Sequence, residues 1–122
     1  MSQTADSAQL STRDQAMPVI DLVAANFDQM LGDHPLMVVD FWAPWCGPCR
    51  GFAPVYEDVA QRFPSVLFAK INVDRETKLA ERFQIRSIPT LLFFRRKIPV
   101  HASMGVLAAE RLENVIRSMF TP

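Results

Sequence analysis

The 122-residue chain contains only two cysteines, two histidines and four glycines, and it carries no net charge. Two cysteines cannot form the several disulfides that hold small secreted domains together, and a chain of this length can bury a core without them. Thirteen basic residues balance thirteen acidic ones, so nothing favours electrostatic binding of nucleic acid. No apolar run approaches the roughly 18 residues that a membrane-spanning helix needs. These absences predict one soluble globular domain.

Residues 1–17 lack the apolar stretch of a secretory signal, since Leu10 is their single bulky aliphatic residue. We expect this segment to be a disordered tail, with a short docking arm as the alternative. The folded domain is then predicted over residues 18–122. An unexported protein with one close cysteine pair fits a reducing compartment, so a cytoplasmic location is expected.

The two cysteines stand three positions apart in the sequence Trp45-Cys46-Gly47-Pro48-Cys49. An apolar stretch precedes this segment and an amphipathic one follows it, which predicts that the pair lies at the turn from a buried strand into a helix. Residues i and i+3 share one face of a helix, so the two sulfurs are within bonding reach. The spacing therefore predicts a disulfide that can open and close.

Cys46 is the expected nucleophile of the pair. If it occupies the first position of the helix, unpaired backbone N–H groups and the helix dipole favour its thiolate and lower its pKa. Cys49, one turn further along, should be less exposed and less acidic. Pro48 leaves no unpaired N–H in the first turn, and Gly47 lets the backbone of a partner approach closely.

Three other interpretations of the cysteine pair remain open. A zinc site needs four ligands, and the chain offers only His34 and His101, which are far apart in sequence. A permanent structural disulfide would close a loop so short that it constrains the unfolded chain little. Two unreactive buried thiols would fit a core, but the Gly-Pro insert and the neighbouring Trp45 argue against them.

Hydrophobic periodicity predicts the element order βαβαβαββα. Strands are predicted at residues 19–22, 36–42, 66–73, 90–95 and 100–104. Helices are predicted up to residue 32, after the cysteines to residue 63, and at residues 76–83 and 108–119. Parallel units followed by a terminal hairpin imply an α/β fold with a central mixed five-stranded sheet, flanked by four helices.

Three segments, VDFWAPWCGPC (39–49), AKINVD (69–74) and IRSIPT (85–90), resemble the thioredoxin family in motif, order and separation. The likeness covers roughly residues 19–119. It implies the thioredoxin fold and the reduction of disulfides in client proteins. It also implies that no cofactor is bound, because the cysteines carry the electrons, and that a separate flavin reductase fed by NADPH restores the dithiol. We expect a monomer.

The resemblance gives roles to two charged residues within apolar strands. Burial should raise the pKa of Asp40 and suit it to take the proton of Cys49 through a water molecule. The alternative for Asp40 is a carboxylate at a polar strand end. Lys70 is implied to lie near Asp40 and to moderate its pKa, whereas the alternative is a lysine that buries only its stem.

The resemblance also implies a surface for client segments. Only about 5–6% of X–Pro bonds are cis in folded proteins, yet the proline at this place in thioredoxins is cis, so a cis Ile88–Pro89 bond is expected. An extended client segment would lie on an apolar surface formed by Trp45, Ile88 and the Gly105-Val106 pair and bond partly through its backbone. The residues implied in substrate binding are Trp45, Gly47, Pro48, Ile88, Pro89, Gly105 and Val106.

The chain departs from the family at two places that affect the fold. Arg96-Lys97 replaces the usual Asn-Gly between the last two strands, and because neither residue accepts positive φ easily, a different turn is expected. Val23-Ala24 replaces the usual Thr-Asp cap, which predicts a weaker start for the first helix.

Two rival functions remain compatible with this sequence. An oxidase or isomerase could use the same fold, and a higher reduction potential would favour it. A non-catalytic binding subunit could use the same predicted apolar surface to hold another protein.

Overall fold

The computed structural model describes residues 19–120, and its elements follow the predicted order. The strands are β1 Ile20–Asp21, β2 Leu36–Trp42, β3 Leu67–Asn72, β4 Thr90–Arg95 and β5 Ile98–Met104. The helices are α1 Ala24–Asp33, α2 Gly47–Ala60, α3 Thr77–Arg82 and α4 Ala109–Phe120. The tail predicted over residues 1–17 lies outside the described residues. None of the four helices is long and apolar enough to cross a membrane.

The five strands form one mixed sheet in the order β1-β3-β2-β4-β5, which confirms the predicted architecture. β3 runs parallel to β1 and β2, whereas β4 runs antiparallel to β2 and β5. β2 is thus central, and the chain passes from its carboxyl end into α2. Sites in open α/β sheets form at the carboxyl ends of parallel strands, and the cysteine segment lies at this edge.

Alternation along β2 divides the core into two clusters, as expected for a strand covered on both faces. Val39 and Phe41 pack in the cluster that includes Phe27 of α1 and Leu79 of α3. Val38 packs in the opposite cluster, whose helical members are Phe52, Tyr56, Val59, Ala60, Leu112 and Ile116. Asp40 shares the parity of Val38, so its side chain is directed toward the α2 side of the sheet.

The buried face of α2 passes through Tyr56, whereas Val55 is only partly buried and packs against the same cluster. Tyr56 lies four residues after Phe52, a spacing that keeps it on the same helix face. Ala108, the first residue of the predicted last helix, precedes α4 in the structure and is exposed.

The β4–β5 turn also corrects the sequence prediction. Arg96 and Lys97 adopt φ values of 50° and 73°, the left-handed conformation that Asn-Gly would have adopted more easily. Only these two residues separate the paired strands, and the Arg96 N–H donates to the Pro35 carbonyl at 2.7 Å. The sheet thus imposes on them a conformation that costs L-residues about 1–2 kcal/mol each.

The start of α1 has no cap from the Val23 side chain, but its N–H groups find other acceptors. The Asn26 Oδ1 accepts from the Val23 N–H at 2.8 Å, and the Glu76 Oε1 accepts from the Ala24 N–H at 2.9 Å. Glu76 comes from the segment before α3, so a distant carboxylate occupies the positive end of this helix dipole.

Candidate active site

Cys46 and Cys49 form a disulfide at the start of α2, with their Cα atoms 5.2 Å apart. Cys46 is the N-cap residue of α2, whereas the sequence had suggested that it is the first helical residue. Its Sγ accepts the backbone N–H of Cys49 at 3.2 Å, so the sulfur still lies at the positive end of the helix. Cys46 is 5% exposed and Cys49 is 2% exposed, so the second sulfur is the less accessible of the two.

The loop between β2 and α2 is held by its own backbone and by the first turn of α2. The Cys46 N–H donates to the Ala43 carbonyl at 3.2 Å, and the Arg50 Nη1 donates to the Pro44 carbonyl at 3.2 Å. Gly47 and Pro48 are both exposed beside the disulfide. A Cβ built on Gly47 would meet nothing within 4 Å, so this position leaves open space for a partner's backbone.

A cleft of about 240 Å³ lies behind the disulfide on the α2 side of the sheet, and Asp40, Cys49 and Lys70 line it together. Asp40 is only 4% exposed. Its burial raises the pKa of the carboxyl to about 7, and the positive charge of Lys70 partly opposes that rise. Among residues 19–120, its Oδ1 has no hydrogen-bond partner. A carboxyl with this pKa can both accept and release a proton near neutral pH.

Lys70 lies directly opposite Asp40 in the parallel pairing of β2 with β3. Its Nζ is 3.9 Å from the Asp21 Oδ1 and 5.0 Å from the centre of the Trp42 ring. The ammonium group therefore stays partly solvated at the edge of the cleft. From this position it lowers the pKa of Asp40 relative to burial alone without forming a direct ion pair with it.

Tyr56 is a cleft residue that sequence reasoning missed. Its hydroxyl lies 2.8 Å from the Ala69 carbonyl and 3.0 Å from the Val38 carbonyl, so its one proton is shared between two strands. Burial, together with the negative charge of Asp40, raises the pKa of Tyr56 well above its usual value. The phenol thus remains protonated. Its spacing of seven residues from Cys49 was the signal that could have identified it.

The opposite side of the disulfide carries exposed apolar side chains. Trp45 is 67% exposed, Met104 is 73% exposed and Val106 is 54% exposed. Ile88 is partly buried and packs against the cluster that contains both cysteines. Large apolar side chains concentrated at one exposed place are typical of a docking surface. We name these four residues the apolar rim.

Two strand ends form the centre of the apolar rim. The Ile88–Pro89 bond is cis, the isomer that was predicted. The Pro89 carbonyl accepts the N–H of Gly105 at 2.8 Å, which holds the segment after β5 beside Ile88. Gly105 has a φ of +92°, a conformation that side chains other than glycine rarely adopt. Met104, which is not among the predicted substrate-binding residues, pairs with Thr90, the residue that follows Pro89.

Asp74 positions the Trp45 ring and was also missed. The Trp45 indole N–H donates to the Asp74 Oδ2 at 2.8 Å, and the Asp74 N–H donates to the Asn72 Oδ1 at 2.9 Å. Trp45 and Ile88 line an apolar hollow of about 210 Å³ together with Val73, Ala80, Ile85, Arg86 and Ser87. The only available signal for Asp74 was a carboxylate placed directly after a buried strand.

The histidines lie apart from the cysteines. His34 donates to the Met30 carbonyl at 3.0 Å, and His101 packs on Phe93 with ring centres 5.4 Å apart. Within residues 19–120, no three side chains of His, Cys, Asp and Glu come together to hold a metal ion. The zinc interpretation therefore gains no set of ligands in this part of the chain.

A disulfide at a helix start, with a buried titratable carboxyl behind it and an apolar rim in front, is a site built for thiol–disulfide exchange. The thioredoxin family model matches residues 18–118. The chain belongs to the thioredoxin family, and its cysteine pair makes it a thiol–disulfide oxidoreductase.

Individual relatives and structures agree with this assignment. The chain is 47% identical over 94 residues to a thioredoxin from Alicyclobacillus acidocaldarius, covering 75% of this chain and 89% of that protein. It is 42% identical over 97 residues to a putative thioredoxin 2 from Streptomyces coelicolor, covering 80% and 72%. The structure of a mutant thioredoxin from Halobacterium salinarum matches with a TM-score of 0.81 and 30% identity, over 88% of this chain and 95% of that one.

Proposed function

We propose that the protein reduces disulfides of client proteins through a mixed disulfide on Cys46. The observation that carries this proposal is the placement of the Cys46–Cys49 pair between the apolar rim and the cleft that contains Asp40. In the first step, the Cys46 thiolate attacks the client disulfide. A bond forms between Cys46 and one client sulfur, the client S–S bond breaks, and the other client sulfur leaves as a thiolate.

In the second step, Cys49 resolves the mixed disulfide. The thiol of Cys49 passes its proton to Asp40 through a water molecule and then attacks the Cys46 sulfur. The second client sulfur leaves, the Cys46–Cys49 bond forms, and two electrons have moved from the enzyme to the client. This role for Asp40 is supported by the cleft that it shares with Cys49 and by its pKa of about 7. Lys70 acts by adjusting that pKa.

The client binds as an extended segment across the apolar rim. Exposed Gly47 and Pro48 permit close approach to the disulfide. Pro89 and Gly105, joined by a backbone hydrogen bond, lie beneath the client segment on the other side. The rim would contact apolar side chains next to the client disulfide, and backbone hydrogen bonds would make the interaction tolerant of sequence.

A separate reductase returns the enzyme to its dithiol form, since each cycle leaves a disulfide. By family resemblance, this partner is a flavin reductase fed by NADPH. The protein acts as a monomer in the reducing environment of the cytoplasm, where such a dithiol persists. We also propose that residues 1–17 form a tail outside the domain that begins at residue 18.

A trapping variant tests the mechanism. Cys49→Ser retains the nucleophile and removes the resolving thiol, so clients are expected to accumulate on Cys46 as adducts that dithiothreitol releases. The matched control is Cys46→Ser/Cys49→Ser, which should capture nothing covalently. If Cys49→Ser traps no protein under disulfide stress, the mechanism is contradicted and the non-catalytic binding subunit is favoured.

The reduction potential decides between reduction and the rival oxidase or isomerase function. Equilibration with defined glutathione ratios should give a potential near the value of about −270 mV that is typical of thioredoxin. A potential near about −180 mV, which is typical of protein disulfide isomerase, would support oxidation or isomerisation instead.

A further inference from the structure

Met104 is the exposed sulfur of the apolar rim. Its side chain is 73% exposed, more than that of Trp45. It ends β5 opposite Thr90, and the next residue, Gly105, donates its N–H to Pro89 at 2.8 Å. The backbone therefore holds Met104 beside the Pro89 end of the proposed client surface.

The other methionines of the described region are less accessible. Met37 lies in the core with no exposed area, and Met30 and Met119 are partly buried. The two cysteines are joined in the disulfide, so they offer no free thiol in this form. An oxidant that reaches the rim of the disulfide form thus meets the thioether of Met104 as an exposed reduced sulfur.

We propose that Met104 is a modification site at which peroxide forms methionine sulfoxide and thereby weakens client docking. The oxygen–oxygen bond of one hydrogen peroxide molecule breaks, one oxygen atom bonds to the methionine sulfur, and the other leaves as water. The sulfur loses two electrons and the peroxide gains them. The docking effect rests on the proposed function, because it requires clients to cover the rim.

The chemical change explains why docking would weaken. A thioether is flexible and apolar and adapts to varied partner surfaces, whereas a sulfoxide is polar and strongly hydrated. A client segment that covers Met104 would have to remove water from the sulfoxide oxygen without placing a hydrogen-bond donor there to replace it. A small disulfide can reach Cys46 without covering Met104, so its reduction should not change. This contrast separates impaired docking from impaired chemistry.

The experiment uses the disulfide form of the full chain. Hydrogen peroxide is added and then removed with catalase, mass spectrometry maps the oxidised methionines, and dithiothreitol restores the dithiol. The value of kcat/KM is measured with insulin and with 5,5′-dithiobis(2-nitrobenzoate). Peroxide should lower the insulin value about fivefold, as expected for partial loss of one apolar contact, and leave the small-disulfide value unchanged.

Two variants locate the effect. In Met104→Leu, peroxide should no longer change the insulin value relative to the untreated variant. Met119→Leu, which removes a partly buried methionine of α4, should respond to peroxide like the wild type. Treatment of oxidised wild type with methionine sulfoxide reductases should restore the insulin value, because they return the sulfoxide to the thioether.

The proposal is overturned if Met104 stays reduced while Met30 and Met119 are oxidised, or if Met104→Leu loses as much insulin activity as the wild type. An equal loss with the small disulfide would also overturn it. Failure of the proposed function gives a different result: untreated protein would then leave insulin intact, whereas the mass spectrum would still report whether Met104 is oxidised.

Discussion

The two sides of the disulfide invert the usual distribution of polarity. Behind it, the Asp40 carboxyl is buried and its Oδ1 has no hydrogen-bond partner among residues 19–120, although carboxyl groups are usually solvated or paired. In front of it, Trp45 and Met104 are exposed, although large apolar side chains usually enter the core. The difference teaches that a buried polar group and an exposed apolar group are separate signs of function. The buried carboxyl indicates proton transfer, and the exposed apolar side chains indicate binding of a partner.

The two sides should also respond differently to substitution. Burial of the Asp40 carboxyl opposes folding whenever that carboxyl is charged, so a change behind the disulfide should alter stability as a function of pH. An exposed side chain contributes little to folding, so a change in front should alter client binding while the free energy of unfolding stays nearly constant.

The largest expected effect is on the pH dependence of stability. The pKa of Asp40 is about 7 in the folded protein, against an ordinary value of 3.8. Between these values the folded protein keeps a proton that the unfolded chain has lost, so the free energy of unfolding falls as the pH rises from about 4 to about 7. The expected fall is about 4 kcal/mol, and it is complete above that range. Asp40→Asn should abolish it and be more stable than the wild type at pH 8.

Urea unfolding of the disulfide form at pH 4.5 and pH 8 measures this difference. Asp21→Asn is the matched control, because Asp21 is also near Lys70 but is exposed to solvent, so its substitution should retain the wild-type pH dependence. If Asp40→Asn and the wild type lose stability in parallel, the buried carboxyl is not the source of the difference between the two sides.

The next effect in size concerns the apolar rim. Trp45→Ala should lower kcat/KM for insulin about tenfold, mainly through KM, because it removes a large part of the client contact. The free energy of unfolding should change by less than about 1 kcal/mol, since the ring is mostly exposed. Steady-state kinetics and urea unfolding test both statements. Ile98→Ala is the control, as Ile98 is similarly exposed at the far end of β5. Equal kinetic losses in the two variants would show that the apolar rim binds insulin no better than other exposed apolar surface does.

The smallest effect serves as a reference away from both sides. Lys97→Gly should raise the free energy of unfolding by about 1 kcal/mol, because glycine accepts the φ of 73° without a Cβ contact. Insulin kinetics and the pH dependence of stability should stay at wild-type values. Lys97→Ala keeps the Cβ and should bring no gain in urea unfolding. A similar gain from alanine would show that the lysine side chain, and not the backbone conformation, is responsible.

Much of the fold could be predicted because its signals are local. The apolar run in residues 36–42 and the helical spacing of Leu112 and Ile116 each lie within a few residues, so the patterns identified these elements directly. The site was partly predictable for the same reason. Two cysteines in one helical turn and an aspartate in an apolar strand are anomalies that can be seen along the chain.

The missed residues act across the fold. Tyr56 bonds to two strands, Asp74 orients a ring from another loop, and Glu76 caps a helix far from it in sequence. The left-handed turn at Arg96 and Lys97 contradicts local preference because the pairing of β4 and β5 leaves two residues to connect them. Helical spacing places Tyr56 on the same helix face as Cys49, but its bonds to two strands, like the other contacts, leave no signal in the neighbouring residues.

The amino-acid sequence by itself determined the cysteine pair, the apolar strands and the order of the elements, because these depend on spacing between neighbours. Only the tertiary structure decided that Cys49 and Asp40 share a cleft and that Trp45, Met104 and Val106 remain exposed. The physical reason is that burial, and with it the pKa of a carboxyl or the exposure of an apolar side chain, is a property of what surrounds a residue in space.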